Sequence, residues 1–343
     1  MMLKREPEDF IVEEIPVGEW TGNDEPRGRY SIYKLKKTNL NTEEAVSIIS
    51  RKFNINNKEI KYAGAKDKHA VTTQYISIPK YHKLGNFEDE RLSLIHTGYS
   101  EEPLSLGTLK GNRFTITARE ISESEYKNFK SKSRKFTVPN YFDEQRFSKN
   151  NVDIGLNILK KDFKHACESL LISDGNYEND ARVHLAARPN DYIGALHKAP
   201  IKTLLMFIHA VQSYIFNEAI CRMLIENAEK NGIKYETLNM GNFRLVFYTD
   251  IVDYEKIDVE SLNLAGFNIK IDHHSMDVLK EFGLTERDFI VKAIPELTVE
   301  GISREIFINT EVESEVLGDR AIIEFELSKG SYATIVMKGL FLV

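Results

Sequence analysis

The segment from residue 61 to residue 75 carries the side chains of this 343-residue chain that are best suited to chemistry. Its sequence is KYAGAKDKHAVTTQY, in which a single carboxylate, Asp67, lies between two lysines and is followed by a histidine. Neighbouring positive charges favour an ionised carboxylate and attract a polyanion such as a nucleic acid. A charged loop is also a common surface turn. The residues alone leave both interpretations open, a catalytic site and a solvated turn.

Two further segments combine amide and aromatic side chains in the way that a base-binding site requires. They are 109–114 (LKGNRF) and 138–147 (VPNYFDEQRF). An aromatic ring stacked on a base contributes about 1 to 3 kcal/mol, and an asparagine can read a base edge. Core packing is the alternative for Phe114, Phe142 and Phe147. One interpretation of these segments is therefore a site for a nucleotide held out of its stack.

Other kinds of site have less support in the sequence. In suitable contexts the sequence contains no glycine-rich phosphate loop, no His-x-x-x-His pair and no Gly-x-Ser-x-Gly motif. His273 and His274 are adjacent, but neighbouring residues of one element point in different directions, so we expect a surface or partly buried pair and not a metal site. Cys167 and Cys221 lie in apolar helical patterns and should be buried thiols. We predict no cofactor and no metal.

The charge of the chain is distributed unevenly. The whole chain has a net charge of −6, whereas residues 51–150 contain 19 Lys and Arg against 12 Asp and Glu, a net +7. Because phosphate contacts depend on a local basic surface, this asymmetry fits a nucleic-acid face on an acidic body. The densest basic run comprises Lys127, Lys130, Lys132, Arg134 and Lys135. A solvated helix face is the alternative explanation for that run.

Short β-branched and aromatic runs predict the strands that position the 61–75 segment. They lie at 9–14, 30–35, 73–78, 94–97 and 113–118, and the first two suggest a hairpin-like start. Thr42, followed by two glutamates and an apolar stripe, predicts an N-capped helix that ends near Phe53. We therefore expect an α/β (α+β) first domain whose sheet is mixed and largely antiparallel, with flanking helices.

Apolar residues at helical spacing predict a helix-rich part from about residue 155. A long helix should run through 204–224, with Pro200 in its first turn and Asn231-Gly232 at its C-terminal cap. A strand at 320–327 and a helix capped by Ser331 follow near the end. We predict a catalytic domain made of 1–153 and 305–343, an inserted helix-rich α/β domain at 154–304, and a basic cleft between them.

Composition places the chain among soluble globular proteins. It is 42% hydrophobic and 29% charged, and its length suggests about two domains. We see no apolar run of the roughly 18 to 20 residues needed to cross a bilayer, and no signal peptide. We expect a cytoplasmic protein without a membrane segment.

Seven motifs occur in order along the chain. They are Asp9-Phe10-x-Val12-x-Glu14, Ala63-Gly64-x-Lys66-Asp67-x-x-Ala70-x-Thr72-x-Gln74, Gly111-Asn112-Arg113-Phe114, Pro139-Asn140-Tyr141-Phe142-x-x-Gln145-Arg146-Phe147, Gln212-Ser213-x-x-Phe216-Asn217, Glu300-Gly301-x-x-Arg304 and Lys329-Gly330-Ser331-Tyr332-Ala333-Thr334. In this order they resemble the TruD family of pseudouridine synthases, of archaeal type. The resemblance covers nearly the whole chain.

This resemblance implies a pseudouridine synthase fold and an isomerase that acts on a uridine of tRNA, expected at position 13, as a monomer without a cofactor. It makes Asp67 the catalytic aspartate, which either attacks a carbon or removes a sugar proton in a pocket shielded from bulk solvent. The sequence leaves these two routes open. The residues that the resemblance places around the substrate are Lys4, Lys66, Asn112, Phe114 and Tyr332, with Lys4 as the basic partner of the aspartate and Phe114 as the ring against the base.

The chain departs from the family pattern at a few positions. Ala65 replaces a more usual leucine, Asp143 and Ser148 stand where glycines are common, and Met337-Lys338-Gly339 replaces a common Arg-Glu. None of these departures touches the aspartate. They concern the fit of the substrate and not the reaction.

Two other functions are compatible with the same residues. One is a non-catalytic RNA-binding or folding factor that uses the same basic cleft. The other is a hydrolase of a glycosidic bond in which Asp67 forms a carboxylate pair with Glu13 or Glu14.

Overall fold

The computed structural model describes residues 1–18, 20, 28–132, 134–148, 150–241 and 243–342. The chain forms two compact units. The first comprises Met1–Phe136 and Asn309–Ala333 with Leu342, and the second comprises Thr137–Ile308 and Thr334–Phe341. These units place 137–153, 305–308 and 334–341 with the second unit, whereas the predicted scheme assigns all three segments to the catalytic domain. That scheme remains a prediction about functional domains.

The strands are numbered in chain order. They are β1 (Phe10–Pro16), β2 (Tyr30–Thr38), β3 (Lys61–Tyr62), β4 (Val71–Pro79), β5 (Phe87–Glu88), β6 (Leu92–Ser100), β7 (Leu109–Ala118), β8 (Lys135–Pro139), β9 (Tyr235–Met240), β10 (Phe243–Tyr248), β11 (Ser261–Asn263), β12 (Ser303–Glu305), β13 (Phe307–Glu311), β14 (Glu313–Leu317) and β15 (Arg320–Ser328).

The helices are numbered in the same way. They are α1 (Thr42–Phe53), α2 (Glu123–Ser131), α3 (Asn151–Leu159), α4 (Phe163–Leu170), α5 (Asn176–Ala187), α6 (Tyr192–Leu196), α7 (Ile201–Asn231), α8 (His273–Glu281) and α9 (Ala333–Phe341). Short 3-10 turns separate several of these elements.

One large sheet forms the first unit. Within the described residues it has nine strands, in the order β14-β15-β7-β1-β4-β2-β6-β5, with β3 paired to β4. β1 and β4 run parallel, and the other neighbouring pairs run antiparallel. The predicted mixed, largely antiparallel sheet is confirmed.

The predicted hairpin-like start is wrong. β4 lies between β1 and β2, because β1 pairs with β4 and β7 while β2 pairs with β4 and β6. Val12 is paired with Thr72, far along the chain. A parallel pair of this kind needs a crossover connection, which β2 and α1 supply. Local sequence patterns carry no information about such a distant pairing.

α1 packs against the large sheet, next to the 61–75 segment. Its N-cap is Asn41, one residue before the predicted Thr42, and the Asn41 side chain accepts a hydrogen bond from the Glu44 amide. The buried face of α1 packs on side chains of β2, β4 and β6. Thr42 is itself fully buried, which leaves its hydroxyl for another contact described below.

The second unit is built around α7. Pro200 is its N-cap rather than part of its first turn, and Gly232, with φ 65°, caps its C-terminus as predicted. Among the described helices α7 is long and apolar enough to cross a membrane by length and composition, but 72% of its apolar window is buried inside the protein. That burial is typical of a core helix. Cys167 and Cys221 are both buried, as predicted.

Candidate active site

The register of three strands places Asn112 and Phe114, two of the predicted pocket residues, on one face of the large sheet. Glu14 is paired with Asn112, and Asn112 with Leu327. Directly paired residues point to the same face of a sheet, and successive residues point to opposite faces. Glu13 and Arg113 are therefore on the other face, where both are exposed.

Close approach of two strands explains the glycine of the Gly111-Asn112-Arg113-Phe114 motif. A Cβ atom added to Gly111 would lie 2.2 Å from the carbonyl oxygen of Leu327. Real side chains do not tolerate such a contact, so this position requires glycine. The motif thus fixes how β15 packs beside β7.

Two buried polar side chains hold the loop that carries Asp67. Gln74 Nε2 donates to the Gly64 carbonyl at 3.1 Å, and the Thr42 hydroxyl donates to Gln74 Oε1 at 2.9 Å. The Thr42 hydroxyl also accepts from the Lys66 amide at 2.9 Å. Buried polar groups that are fully hydrogen-bonded make a loop rigid. The glutamine of the motif is therefore part of the loop's support.

A third support, Lys37, was missed in the sequence. Its side chain is fully buried, and Nζ donates to the carbonyl oxygens of Leu40 at 2.5 Å and Asp67 at 2.9 Å. Burial lowers the pKa of Lys37 to about 8. The alternation along β2 could have identified it, because Tyr33, Leu35 and Lys37 lie on the buried face of the strand. The pattern thus places a lysine where an apolar residue is expected.

The structure brings Asp67 together with its predicted basic partner. Lys4 Nζ lies 2.7 Å from Asp67 Oδ2 and 4.0 Å from the centre of the Phe10 ring. Lys4 has φ 59°, a left-handed conformation that is uncommon for lysine. The expected shielding is absent in the free protein, because the Asp67 side chain is 43% exposed. A substrate can therefore reach the carboxylate.

Lys66 points away from solvent and towards the sheet. Its Nζ lies 2.9 Å from Glu14 Oε2, and the two side chains are 8% and 1% exposed. The predicted substrate contact of Lys66 stays a prediction, and it would require this pair to open. Glu14 is paired with Lys66, and Glu13 lies on the opposite face of β1 from Glu14. This arrangement disfavours the hydrolase, which needs a second available carboxylate beside Asp67.

Phe114 and Asn112 lie in neighbouring rows of the same sheet face. The Phe114 ring packs edge-on against Phe10, with centroids 6.1 Å apart, and stacks on Phe325 at 5.6 Å. It is only 7% exposed, so core packing accounts for most of its surface. The Asn112 Oδ1 atom is buried and has no hydrogen-bond partner among the described residues. An unsatisfied buried acceptor is a candidate to bind a ligand.

The last motif begins where β15 leaves the sheet beside β7. Lys329 Nζ donates to the Gly107 carbonyl at 3.0 Å, and the Gly107 amide donates to the Ala63 carbonyl at 2.8 Å. These bonds connect the C-terminal motif with the start of the Asp67 loop. Tyr332 is partly buried and directly precedes α9. Its predicted place in the pocket stays a prediction.

Three of the seven motifs form one structural cluster in the second unit. Asn217 exchanges two hydrogen bonds with the backbone of Phe142, at 2.9 and 2.8 Å. Arg304 donates to Asn140 Oδ1 at 2.7 Å, and its guanidinium lies 4.1 Å from the centre of the Phe142 ring. Phe142 is buried, which supports core packing over base contact for this residue.

Two departures from the family pattern contact each other. The Lys338 ammonium group forms an ion pair with Asp143, and both side chains are largely buried. Asp143 also accepts from the Glu144 amide at 2.8 Å. The two largely buried charges thus compensate each other.

The basic run is partly neutralised in the free protein. Lys127 pairs with Glu123 at 2.9 Å, and Arg134 pairs with Glu311 at 3.7 Å and with Glu313. All of these side chains are more than half exposed. Exposed pairs contribute little, so they can be exchanged for contacts with phosphate groups.

The two adjacent histidines do not point apart as expected. Their rings lie 3.9 Å from each other, and His274 Nε2 is 3.2 Å from Glu226 Oε2. The ligand atoms of Glu226, His273 and His274 lie within 4.8 Å of one another, so they could hold a metal ion. Both histidines lie in the first turn of α8 and both approach Glu226, with His273 Nε2 3.9 Å from its Oε2 atom. The absence of a metal stays a prediction.

The chain is similar to known proteins of one family. The model of the family described as "tRNA pseudouridine synthase D (TruD)" matches residues 1–183 and 173–340. The "Probable tRNA pseudouridine synthase D 1" of Methanococcus maripaludis is 31% identical, over 99% of both chains. The "tRNA pseudouridine synthase D" of Aquifex aeolicus is 28% identical, over 99% of this chain and 97% of its own.

A solved structure has a similar fold. The crystal structure of the TruD protein from Methanosarcina mazei superimposes with a TM-score of 0.69 at 26% identity, and the match covers 99% of this chain and 93% of the other. Both the family model and the relatives therefore match the chain along nearly its full length, across all seven motifs. We conclude that this chain belongs to the tRNA pseudouridine synthase D (TruD) family.

Proposed function

We propose that this chain is a pseudouridine synthase that isomerises a uridine of tRNA, expected at position 13, with Asp67 as the catalytic group. The observation that carries the proposal is the setting of Asp67. Its carboxylate is accessible and lies 2.7 Å from Lys4 Nζ. The loop that carries it is held by buried side chains. Several relatives carry this activity in their names.

The reaction is an isomerisation that the available side chains can support. The bond between the ribose C1′ and the uracil N1 breaks, the base turns, and C1′ joins C5. One proton leaves C5 and one is gained at N1, so the reaction is redox-neutral. Asp67 acts either by attack on a carbon or by removal of a sugar proton. Both routes need a carboxylate that the extruded nucleotide can reach.

The neighbouring residues have proposed roles that follow from their positions. Lys4 neutralises and orients the carboxylate. Asn112 offers a buried amide oxygen to the imide N–H of the uracil, because that oxygen lacks a partner among the described residues. Phe114 presents the limited exposed part of its ring to the base. Tyr332 lines the pocket and is a candidate to assist loss of the C5 proton, and Lys66 supports the loop through Glu14.

The experiment is an activity assay on a tRNA transcript, with pseudouridine mapped by mass spectrometry. We expect product with the parent protein, none with Asp67→Asn, and parent-like product with Asp258→Asn, an exposed aspartate in the second unit. A transcript with cytidine at position 13 should give no product if the expected position is correct. No product with the parent, or full product with Asp67→Asn, would overturn the proposal.

The same assay separates the two other functions. A non-catalytic RNA-binding factor would bind the transcript without forming pseudouridine, and its biological effect would survive Asp67→Asn. A hydrolase would release free uracil. We further infer a monomer that acts in the cytoplasm, consistent with its two buried, unpaired cysteines. Light scattering and cell fractionation test these two statements.

A further inference from the structure

The first unit contains a buried lysine that the reaction does not use directly. Lys37 on β2 is 0% exposed. Lysine is almost never fully buried unless its charge is paired. Within the described part of the chain Lys37 forms no ion pair, although Asp67 and Glu44 are close enough to act on it electrostatically. Its burial therefore needs another explanation.

The hydrogen bonds of Lys37 supply that explanation. Its Nζ donates to the carbonyl oxygens of Leu40 at 2.5 Å, Asp67 at 2.9 Å and Lys66 at 3.4 Å. A protonated lysine has three donors, so each donor has one acceptor. Two of the three acceptors belong to the catalytic loop. Among the described hydrogen bonds, the one that reaches the Asp67 backbone comes from Lys37.

We propose that Lys37 is a positioning residue, which fixes the backbone of Lys66 and Asp67 so that the Asp67 carboxylate is held ready for the substrate. This inference rests on the proposed function, because it assigns Lys37 a role in that reaction. Thr42 and Gln74 hold Gly64 and the Lys66 amide, on the N-terminal side of Asp67. Lys37 holds the aspartate itself.

A purely packing role for Lys37 predicts a different outcome from a positioning role. Methionine has a similar length and would fill the same space, but it would leave the three carbonyl groups without a donor. The Asp67 side chain would keep its contact with Lys4, while its backbone could shift. A shift of about 1 Å at a reacting group can reduce a rate by about 100-fold.

The charge of Lys37 also gives a readout that packing cannot give. Burial and the nearby charge of Lys66 lower the pKa of Lys37, and the charges of Asp67 and Glu44 only partly oppose this, so that the pKa is about 8. Above that pH the amine is neutral and has two donors for three acceptors. The loop should then be held less firmly, while the rest of the sheet is unchanged.

The first test compares Lys37→Met with Lys34→Met, an exposed lysine of the same strand. We would measure the single-turnover rate constant on tRNA transcript, the Kd for the transcript and the Tm. The expected result for Lys37→Met is a rate about 100-fold lower with a Kd within about threefold of the parent. Lys34→Met should react like the parent. A parent-like rate in folded Lys37→Met would overturn the inference.

The second test needs no variant and covers the case in which Lys37→Met does not fold. The single-turnover rate of the parent should fall with a midpoint near pH 8 while the Kd stays constant, and this decline should be absent from Lys37→Met where that variant folds. A flat profile of the parent from pH 7 to pH 9 would also overturn the inference. A parent that makes no pseudouridine at any pH would instead contradict the proposed function.

Discussion

The ammonium nitrogen of Lys66 lies 2.9 Å from Glu14 Oε2, with both side chains almost fully buried. Lys66, the residue directly before Asp67, therefore connects the loop to β1 instead of extending into solvent. The pair joins two family motifs that are far apart in the chain. Lys66 supports the site from beneath, and Lys4 provides the positive charge beside the Asp67 carboxylate.

The first prediction concerns the stability that depends on this buried pair. Lys66→Met should lower the free energy of unfolding by about 3 to 5 kcal/mol, because Glu14 would remain buried without its partner. The double variant Lys66→Met with Glu14→Leu should recover part of that loss. Urea denaturation measures each value.

The matched control for this prediction is Lys68→Met. Lys68 pairs with Glu44 at 2.7 Å, but its side chain is 48% exposed. Lys68→Met should lower the free energy of unfolding by less than about 1 kcal/mol. Equal losses for Lys66→Met and Lys68→Met would contradict the structural role assigned to Lys66.

The second prediction concerns the Lys4–Asp67 pair, in which the aspartate is 43% exposed. Lys4→Met should change the free energy of unfolding by less than about 1 kcal/mol, since such pairs contribute little to stability. The kcat should fall by about 100-fold, because a charge aimed at the reacting group is lost. Arg5→Met, which removes an exposed pair with Glu120, is the control. A normal kcat in Lys4→Met would show that Lys4 takes no part in the reaction.

The third prediction distinguishes the two roles of Phe114. Phe114→Leu and Phe325→Leu should destabilise the protein to a similar extent, by about 1 to 2 kcal/mol, because the two rings stack in the same core. Only Phe114→Leu should also slow pseudouridine formation, by about tenfold, since stacking on a base contributes about 1 to 3 kcal/mol. Equal rates in the two variants would assign Phe114 to the core alone.

The fourth prediction is a pH dependence of stability that arises at Asp9. Burial raises the pKa of Asp9, but hydrogen bonds from Arg119 and the Glu6 amide, with the charge of Arg119, more than offset it and lower the pKa overall. The stability that the ionised Asp9 side chain gives to the fold is therefore fully present above the ordinary aspartate pKa of about 3.9. It is lost as the pH falls through the lower pKa of the folded state.

Asp9→Asn should consequently be less stable than the parent at pH 7, by about 1 to 3 kcal/mol. Its free energy of unfolding should decline less steeply than that of the parent between pH 5 and pH 2. Asp174→Asn, which alters a pair whose aspartate is 91% exposed, should follow the parent curve. Urea denaturation at each pH provides the comparison, and parallel curves for Asp9→Asn and the parent would disprove the assignment.

Several features of the fold and the site could be predicted from local signals. The strands at β4, β6, β7 and β15 and the ends of α7 follow from alternation, helical spacing and capping residues. The motif around Asp67 identified the catalytic candidate, because its residues are contiguous in the chain. The order of the seven motifs indicated the family.

Other features depend on contacts between distant residues, which no local pattern encodes. The sheet order, with β4 between β1 and β2, is set by pairings across long stretches of chain. The partner of Lys66 is Glu14, and the support beneath Asp67 is Lys37, because β1 and β2 lie under the loop only in the folded sheet. The chain sequence thus specifies the candidate carboxylate, while folding decides which charges surround it, since electrostatic and hydrogen-bond interactions act over a few ångströms in space whatever the distance along the chain.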